Sequence, residues 1–271
     1  MINNKSSRIL ILSIIVTFFI TQRGYADTII IDPGHGGPNA NQNYNGDGSG
    51  GTYGPAYNLS EQWVNLKVAM ILYNQLDNWS VYLTRDEQDP DPAPTTLDRA
   101  NFANQILDQY PDDVFIFVSI HHNSSPDNPD SNRQGTETLW CENNSTEGAS
   151  QSEKKALADA IQPKLVSAFG YNDRKVKEDS TANPAQGHLT VLKETEVIAA
   201  LTEASFLDTY DEEWNMAYDP EHRLAEATAI KDGVNEYAAT IAIDPYWCIY
   251  PPGTPANLSQ YAQYPTGLMI N

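Results

Sequence analysis

The segment VFIFVSI (114–120) constrains this chain more than any other. Apolar side chains occupy positions of both parities, so a strand here is buried on both faces. One-sided antiparallel strands alternate apolar with polar residues, and this one does not. The segment therefore predicts the interior of a mostly parallel sheet. Residues 28–31, VYLT (81–84), GTETLW (135–140) and VIAALTE (197–203) read as further strands, with LTVL (189–192) as a weaker candidate.

Helical patterns fill the intervals. Ser60 stands where it can cap a helix from Glu61 to about Asp77, with Trp63, Leu66, Met70, Tyr73 and Leu76 as its apolar side. Residues 95–110, 152–169 (despite Pro163) and 222–242 carry the other helices. Strands alternating with helices predict a single α/β domain, a mostly parallel twisted central sheet with helices on both faces. The polar stretches 38–59, 123–134 and 170–187 read as loops beside strand or helix ends, where such folds place their sites.

The ends of the chain differ from this middle. Lys5 and Arg8 precede a 12-residue stretch without charge, ILILSIIVTFFI, followed by small residues at Gly24 and Ala26. That pattern predicts a secretory signal over 1–26, cut before Asp27. Twelve residues fall well short of a spanning helix, so no stable membrane insertion is expected after cleavage. The expected layout is signal 1–26, a folded domain 27–243 and a Pro/Tyr-rich tail 244–271, in a protein exported to the periplasm or the extracellular space. The net charge is −20, and the signal holds three of the cations and none of the acids, which leaves about −23. Such a chain lacks the basic surface that nucleic acid or an anionic membrane requires. Cys141 and Cys248, 107 residues apart, do not have the spacing of a metal cluster. Paired in an oxidising compartment they would stabilise the fold by roughly 2–4 kcal/mol; unpaired thiols are the alternative.

Five histidines are present, and two sites among them follow predicted strands: His35 after TIII, and His121–His122 after VFIFVSI. In a parallel sheet those strand ends share one edge. Glu61 at a helix start and Glu203 at a strand end can join them there. Two imidazoles and a carboxylate form a hydrolytic zinc shell with a position left for water, and a further carboxylate outside the shell can take the water's proton. His35, Glu61, His121 and Glu203 supply that set. Each also has a plain reading: a turn residue, a first-turn acid favoured by the helix dipole, one of two histidines on opposite strand faces, and an acid at a strand end. Ser119 reads as structural within its apolar strand. Asp32 with Asp208 or Asp211 makes only a weak case for a carboxylate pair.

On these residues the chain resembles the zinc-dependent N-acetylmuramoyl-L-alanine amidases. IIIDPGHGG (29–37) is similar to the strand and D-P-G-H-G-G that open their catalytic domain. LSEQWVNLKVA resembles the helix that opens with a metal-binding glutamate, and VYLTRDEQD the strand ending in T-R. LDRANFAN resembles an R-x-x-x-A-N helix, read with Arg99 and Asn101 closer together than usual. VFIFVSIHHNSS is similar to S-I-H-x-N, GTETLW to G-x-E-x-Y/W, and VIAALTEASFLD to the strand that delivers the catalytic glutamate, with Ala204–Ser205 in place of Thr-Gly.

The resemblance implies one Zn2+ per chain held by His35, Glu61 and His121, with Glu203 as general base. It implies a peptidoglycan or muropeptide substrate cut between N-acetylmuramic acid and L-alanine, by a monomer. The competing expectation is a catalytically impaired cell-wall-binding protein of the same fold. His188 is expected at the surface, His222 in a structural or exposed role, and Glu142, Glu147 and Glu153 in a solvated acidic loop.

Overall fold

The computed structural model describes residues 28–36, 51–52, 54–86, 94–110, 114–125, 134–142, 148–182, 184 and 187–241. The signal segment, the tail and Cys248 lie outside the described residues. In chain order the elements are β1 (Thr28–Pro33), α1 (Glu61–Tyr73), β2 (Ser80–Leu83), α2 (Thr96–Gln109), β3 (Phe115–Asn123), β4 (Thr136–Trp140) and α3 (Gln151–Phe169). They continue as β5 (Asp173–Glu178), α4 (Asp179–Ala182), α5 (Thr190–Lys193), β6 (Ile198–Phe206), α6 (Tyr210–Tyr218) and α7 (Pro220–Ile241).

The strands form one sheet in the order β2-β1-β3-β6-β4-β5. β1 is parallel to β2 and β3, and β3 is parallel to β6. β4 runs antiparallel to β6, and β5 is parallel to β4. The carboxyl ends of β1, β2, β3 and β6 therefore share one edge of the sheet, and those of β4 and β5 lie at the other.

The two-sided apolar pattern has its expected consequence. Ile29, Ile31, Ile116, Val118 and Ile120 pack with side chains of α1, α3 and α7. Ile30, Phe115 and Phe117 pack with Ala103 and Ile106 of α2 and with Val191 and Leu192 of α5. Alternate residues of one strand thus enter two separate cores, one on each face of the sheet. Each fully buried Ile or Phe contributes about 1.5–3 kcal/mol of transfer free energy. None of the described helices is long and apolar enough to cross a membrane.

Four local expectations change. LTVL is not a strand: Thr190–Lys193 form a single helical turn that buries Val191 and Leu192. DRKVKE, read as loop, is strand β5, whose charged side chains suit an edge that must not pair further. α6 and the first residues of α7 also lie in what read as connecting chain. Finally, the inward face of α1 is rotated from the expected one. Leu66 and, just past the helix, Leu76 are buried as expected, and so are Glu61, Val64, Asn65, Val68 and Leu72, while Tyr73 is exposed and Trp63 and Met70 only half-buried.

Candidate functional site

The turn after β1 is held from three sides. Asp32, fully buried, accepts hydrogen bonds at Oδ1 from Thr84 Oγ1 (2.5 Å) and Arg99 Nη1 (2.6 Å), and at Oδ2 from Ser119 Oγ (2.6 Å). Burial alone would raise its pKa; the Arg99 guanidinium and the three hydrogen bonds outweigh burial and lower it. Arg99 also donates to the carbonyls of Pro33 (2.8 Å) and His35. Arg85 donates to those of Pro33 (2.7 Å), Gly34 (3.0 Å) and Gln62 (2.7 Å). Two buried arginines thus hold the carbonyls of Pro33, Gly34 and His35.

That clamp holds His35 at φ 60°, a left-handed conformation uncommon for a residue with a Cβ. Its ring meets that of His121 edge-on, with centroids 4.8 Å apart. Glu61 lies between them: Oε1 is 3.2 Å from His35 Nε2 and 3.0 Å from His121 Nδ1. The same oxygen accepts from His122 N (3.2 Å) and Asn65 Nδ2 (3.4 Å), while Oε2 accepts from Thr52 N (2.7 Å).

Glycine leaves room for this cluster. A Cβ at Gly34 would sit 2.2 Å from His121 Nε2. A Cβ at Gly51 would sit 2.5 Å from both Glu61 Oε2 and the His35 ring, and Gly51 itself has φ 70°.

His122 points the other way, as strand alternation requires. It is buried, with Nδ1 2.8 Å from Asn65 Oδ1 and Nε2 3.1 Å from Glu226 Oε2. Glu203 is the register partner of His121 on β6, so its Cα lies beside the cluster. Its Oε2 is sealed from solvent and receives no hydrogen bond. Burial, with the negative charges of Glu61 and Glu137, pushes its pKa well above the usual carboxylate range; Arg174 pulls the other way. Glu137, the partner of Glu203 on β4, is itself held by Arg174 (2.8 Å), Lys177 (2.5 Å) and Asn123 (3.1 Å).

The donor set fits a divalent ion. His35, Glu61 and His121 each offer one ligand atom, all within 4.8 Å of one another. The shifts of Glu61 and His121 run in the direction that ligation needs, toward an ionised carboxylate and a neutral imidazole. Burial tends to raise the pKa of Glu61, but the imidazoles of His35 and His121 hold it well below the ordinary value. Burial lowers that of His121, against the opposing pull of Glu61. Two imidazoles and one carboxylate match a zinc shell with an open position.

The other candidates have different settings. Ser119 is bound to Asp32, which makes it structural, and Asp208 accepts from Ser125 N (2.7 Å) rather than joining Asp32. Glu153 caps α3 from its first turn, Glu142 is exposed, and Glu147 lies outside the described residues. His222 stacks on Phe169 (4.7 Å) and meets the Tyr171 hydroxyl (2.9 Å), a structural role. His188 is not a simple surface residue: it is mostly buried and paired with Asp179, at the opposite edge of the sheet. In LDRANFAN the asparagine that anchors α2 is Asn104, bonded to Glu194 O and Glu196 N (both 2.9 Å), which restores the R-x-x-x-A-N spacing from Arg99. Arg85 and Glu137 stood inside the T-R and G-x-E-x-Y/W motifs without a role assigned to either, and Asn65 and Glu226 were not singled out from the sequence. Asn65 carried one signal, standing four residues after Glu61 on the same helix face.

Known proteins resemble this chain in sequence and in fold. An uncharacterized cell wall amidase of Bacillus anthracis is 31% identical over 212 residues, 78% of this chain and 35% of that protein. The chain spans from 35% to 55% of the length of the curated relatives it matches. Among solved structures, an N-acetylmuramoyl-L-alanine amidase from Clostridium difficile 630 aligns with a TM-score of 0.61 and 30% identity, covering 80% of this chain and 98% of that one. The catalytic domain of the amidase CwlV from Bacillus (Paenibacillus) polymyxa aligns with a TM-score of 0.60 and 26% identity, covering 79% and 98%. The model of the Amidase_3 family matches residues 29–236, from the first strand to the last helix, and the chain belongs to that family of N-acetylmuramoyl-L-alanine amidases.

Proposed function

We propose that this chain hydrolyses the amide bond between N-acetylmuramic acid and L-alanine in peptidoglycan, with one zinc ion held by His35, Glu61 and His121 and with Glu203 as general base. The observation that carries the reading is the meeting of four residues from β1, α1, β3 and β6 at one sheet edge. Three share a centre, and the fourth is a carboxylate oxygen without a hydrogen bond. Family membership supplies the bond. The same reading makes the protein an exported monomer that works on muropeptides or intact wall.

When bound, zinc supplies Lewis acidity to the amide carbonyl and makes an adjacent water more acidic. The chain's own residues divide the remaining work. Glu61 stays ionised between the imidazoles, with Thr52 N and Asn65 fixing its orientation. Glu203 takes a proton from the attacking water and returns it to the departing alanine nitrogen. A raised pKa makes Glu203 a better acceptor for the water's proton than an ordinary carboxylate, and the same group can hand that proton on. The two glutamates are not interchangeable: one is surrounded by imidazoles, the other by carboxylates.

Replacing Glu203 with Gln tests this division. The expected result is a loss of hydrolysis by a factor on the order of 10² to 10⁴ with metal content unchanged. His35→Ala and His121→Ala should each lose metal as well as activity. Undiminished hydrolysis by Glu203→Gln would reject its role as base.

A further inference from the structure

A second group of ligand-type side chains lies at the opposite sheet edge. Cys141 follows the end of β4, Glu178 ends β5, Asp179 opens α4, and His188 stands just before α5. Trp140 and Glu178 are register partners on parallel strands, which brings the two chain ends side by side. The four ligand atoms all lie within 4.8 Å of one another.

Their arrangement is unusual for a hydrogen-bonded cluster. His188 Nδ1 is 2.8 Å from Asp179 Oδ1, 3.1 Å from Glu178 Oε1 and 3.4 Å from Cys141 Sγ. One N–H can serve only one of these three acceptors well, and Glu178 Oε1 is buried with no hydrogen bond. A catalytic relay is excluded, because Cys141 and Asp179 approach the same ring nitrogen instead of opposite ones. The second oxygen of each carboxylate is already engaged. Glu178 Oε2 accepts from Ser180 Oγ (2.5 Å) and Thr181 N (3.2 Å), and Asp179 Oδ2 accepts from Leu189 N (2.8 Å). Outer hydrogen bonds of this kind orient the ligands of a metal.

We propose that Cys141, Glu178, Asp179 and His188 form a second, structural site for a divalent transition ion of the zinc type. Bonds of about 2.3 Å to sulfur and about 2.0–2.2 Å to nitrogen and oxygen give tetrahedral edges of roughly 3.3–3.7 Å. The separations around Nδ1 reach that range with shifts of about half an ångström. Charge balances as well. Three anionic ligands are matched by a divalent ion and the buried ammonium of Lys154, which lies close enough to Cys141 and Asp179 to act on both. The ion would tie the ends of β4 and β5 to the segment that leads into α5. This assignment does not rest on the proposed amidase reaction, whose residues lie at the other edge.

The test is metal analysis of the purified full chain after loading with zinc alone and dialysis, followed by exchange with cobalt. Two ions per chain are expected, and the cobalt form should show a thiolate-to-metal charge-transfer band in the near ultraviolet. Cys141→Ser and His188→Gln should each reduce the content to one ion and remove the band, with a lower melting temperature and unchanged hydrolysis per folded molecule. His35→Ala should lose the other ion and keep the band, so failure here and failure of the amidase reading are separable. One ion per chain without a sulfur band would overturn the proposal, and so would a band that survives in Cys141→Ser. A disulfide joining Cys141 to Cys248 in the folded protein would do the same, and the wild-type measurements need no variant to fold.

Discussion

His35 pays for its place with a left-handed backbone, and the compensation comes from its neighbours. Arg99 bonds to its carbonyl and to Pro33, and Asp32 neutralises Arg99 in the interior. Strained residues of this kind persist where the surrounding structure over-determines them. Asp32 is therefore the residue on which the turn depends. Removing one partner of a buried ion pair costs about 3–5 kcal/mol, and Asp32→Asn should destabilise the protein by an amount of that order in denaturant unfolding at neutral pH. The sign of its pH dependence follows from a lowered pKa in the folded state. The Asp32 contribution is complete above the ordinary value of 3.8 and is lost as pH falls through the lower folded value. The gap between wild type and variant should accordingly narrow on acidification below about pH 4; a gap that stays constant would show that the ionised pair is not its source.

At the scale of elements, α1 shows what the sequence made legible and what it concealed. Its existence and its start at Glu61 were readable, but its buried face was not. Trp63, Met70 and Tyr73 continue from Leu66 as an apolar stripe that looks like a core face, yet on α1 only Leu66 of that stripe is buried. The face that packs inward carries Val64, Val68 and Leu72 together with Glu61 and Asn65, and the two polar residues made it look exposed. The cluster itself caused the misreading, because a helix that delivers a carboxylate to a buried group of histidines must bury polar side chains. β5 was missed for the opposite reason: an edge strand needs few apolar residues, and Val176 is the single one in DRKVKE. By contrast, β1, β3 and β6 were legible because both of their faces are covered, and three of the four proposed catalytic-site residues stand on them or just beyond.

The packing of α3 on α7 could not be read from either helix alone. A Cβ at Gly233 would lie 2.6 Å from Ile161 Cα and 3.0 Å from Ala160 O, both backbone atoms that cannot rotate aside. Gly233→Ala should force the helices apart and destabilise the fold by about 1–3 kcal/mol. Thermal melting measures that loss, and metal content should not change; a variant as stable as wild type would mean that α7 shifts freely along the sheet.

For the whole molecule, sheet topology separates two kinds of chemistry. Four parallel strands bring His35, His121 and Glu203, with Glu61 from α1, to one edge. Reversal at β4 sends Cys141 and Glu178 to the other, so that neither cluster intrudes on the other. Seven short motifs in a fixed order surround the first edge, whereas the second drew its ligands from segments that read as loop and from a cysteine with no informative spacing. The sequence, with 36 acids against 16 Lys and Arg, is a poor match for a polyanionic partner. The proposed reaction is defined by the bond it cuts. Mass analysis of peptidoglycan digested by the purified, zinc-loaded protein tests it most directly. Release of stem peptides with L-alanine at a free amino end, alongside glycan strands that keep an intact lactyl group, is the predicted result. Fragments in which every lactyl–alanine link remains whole would contradict it.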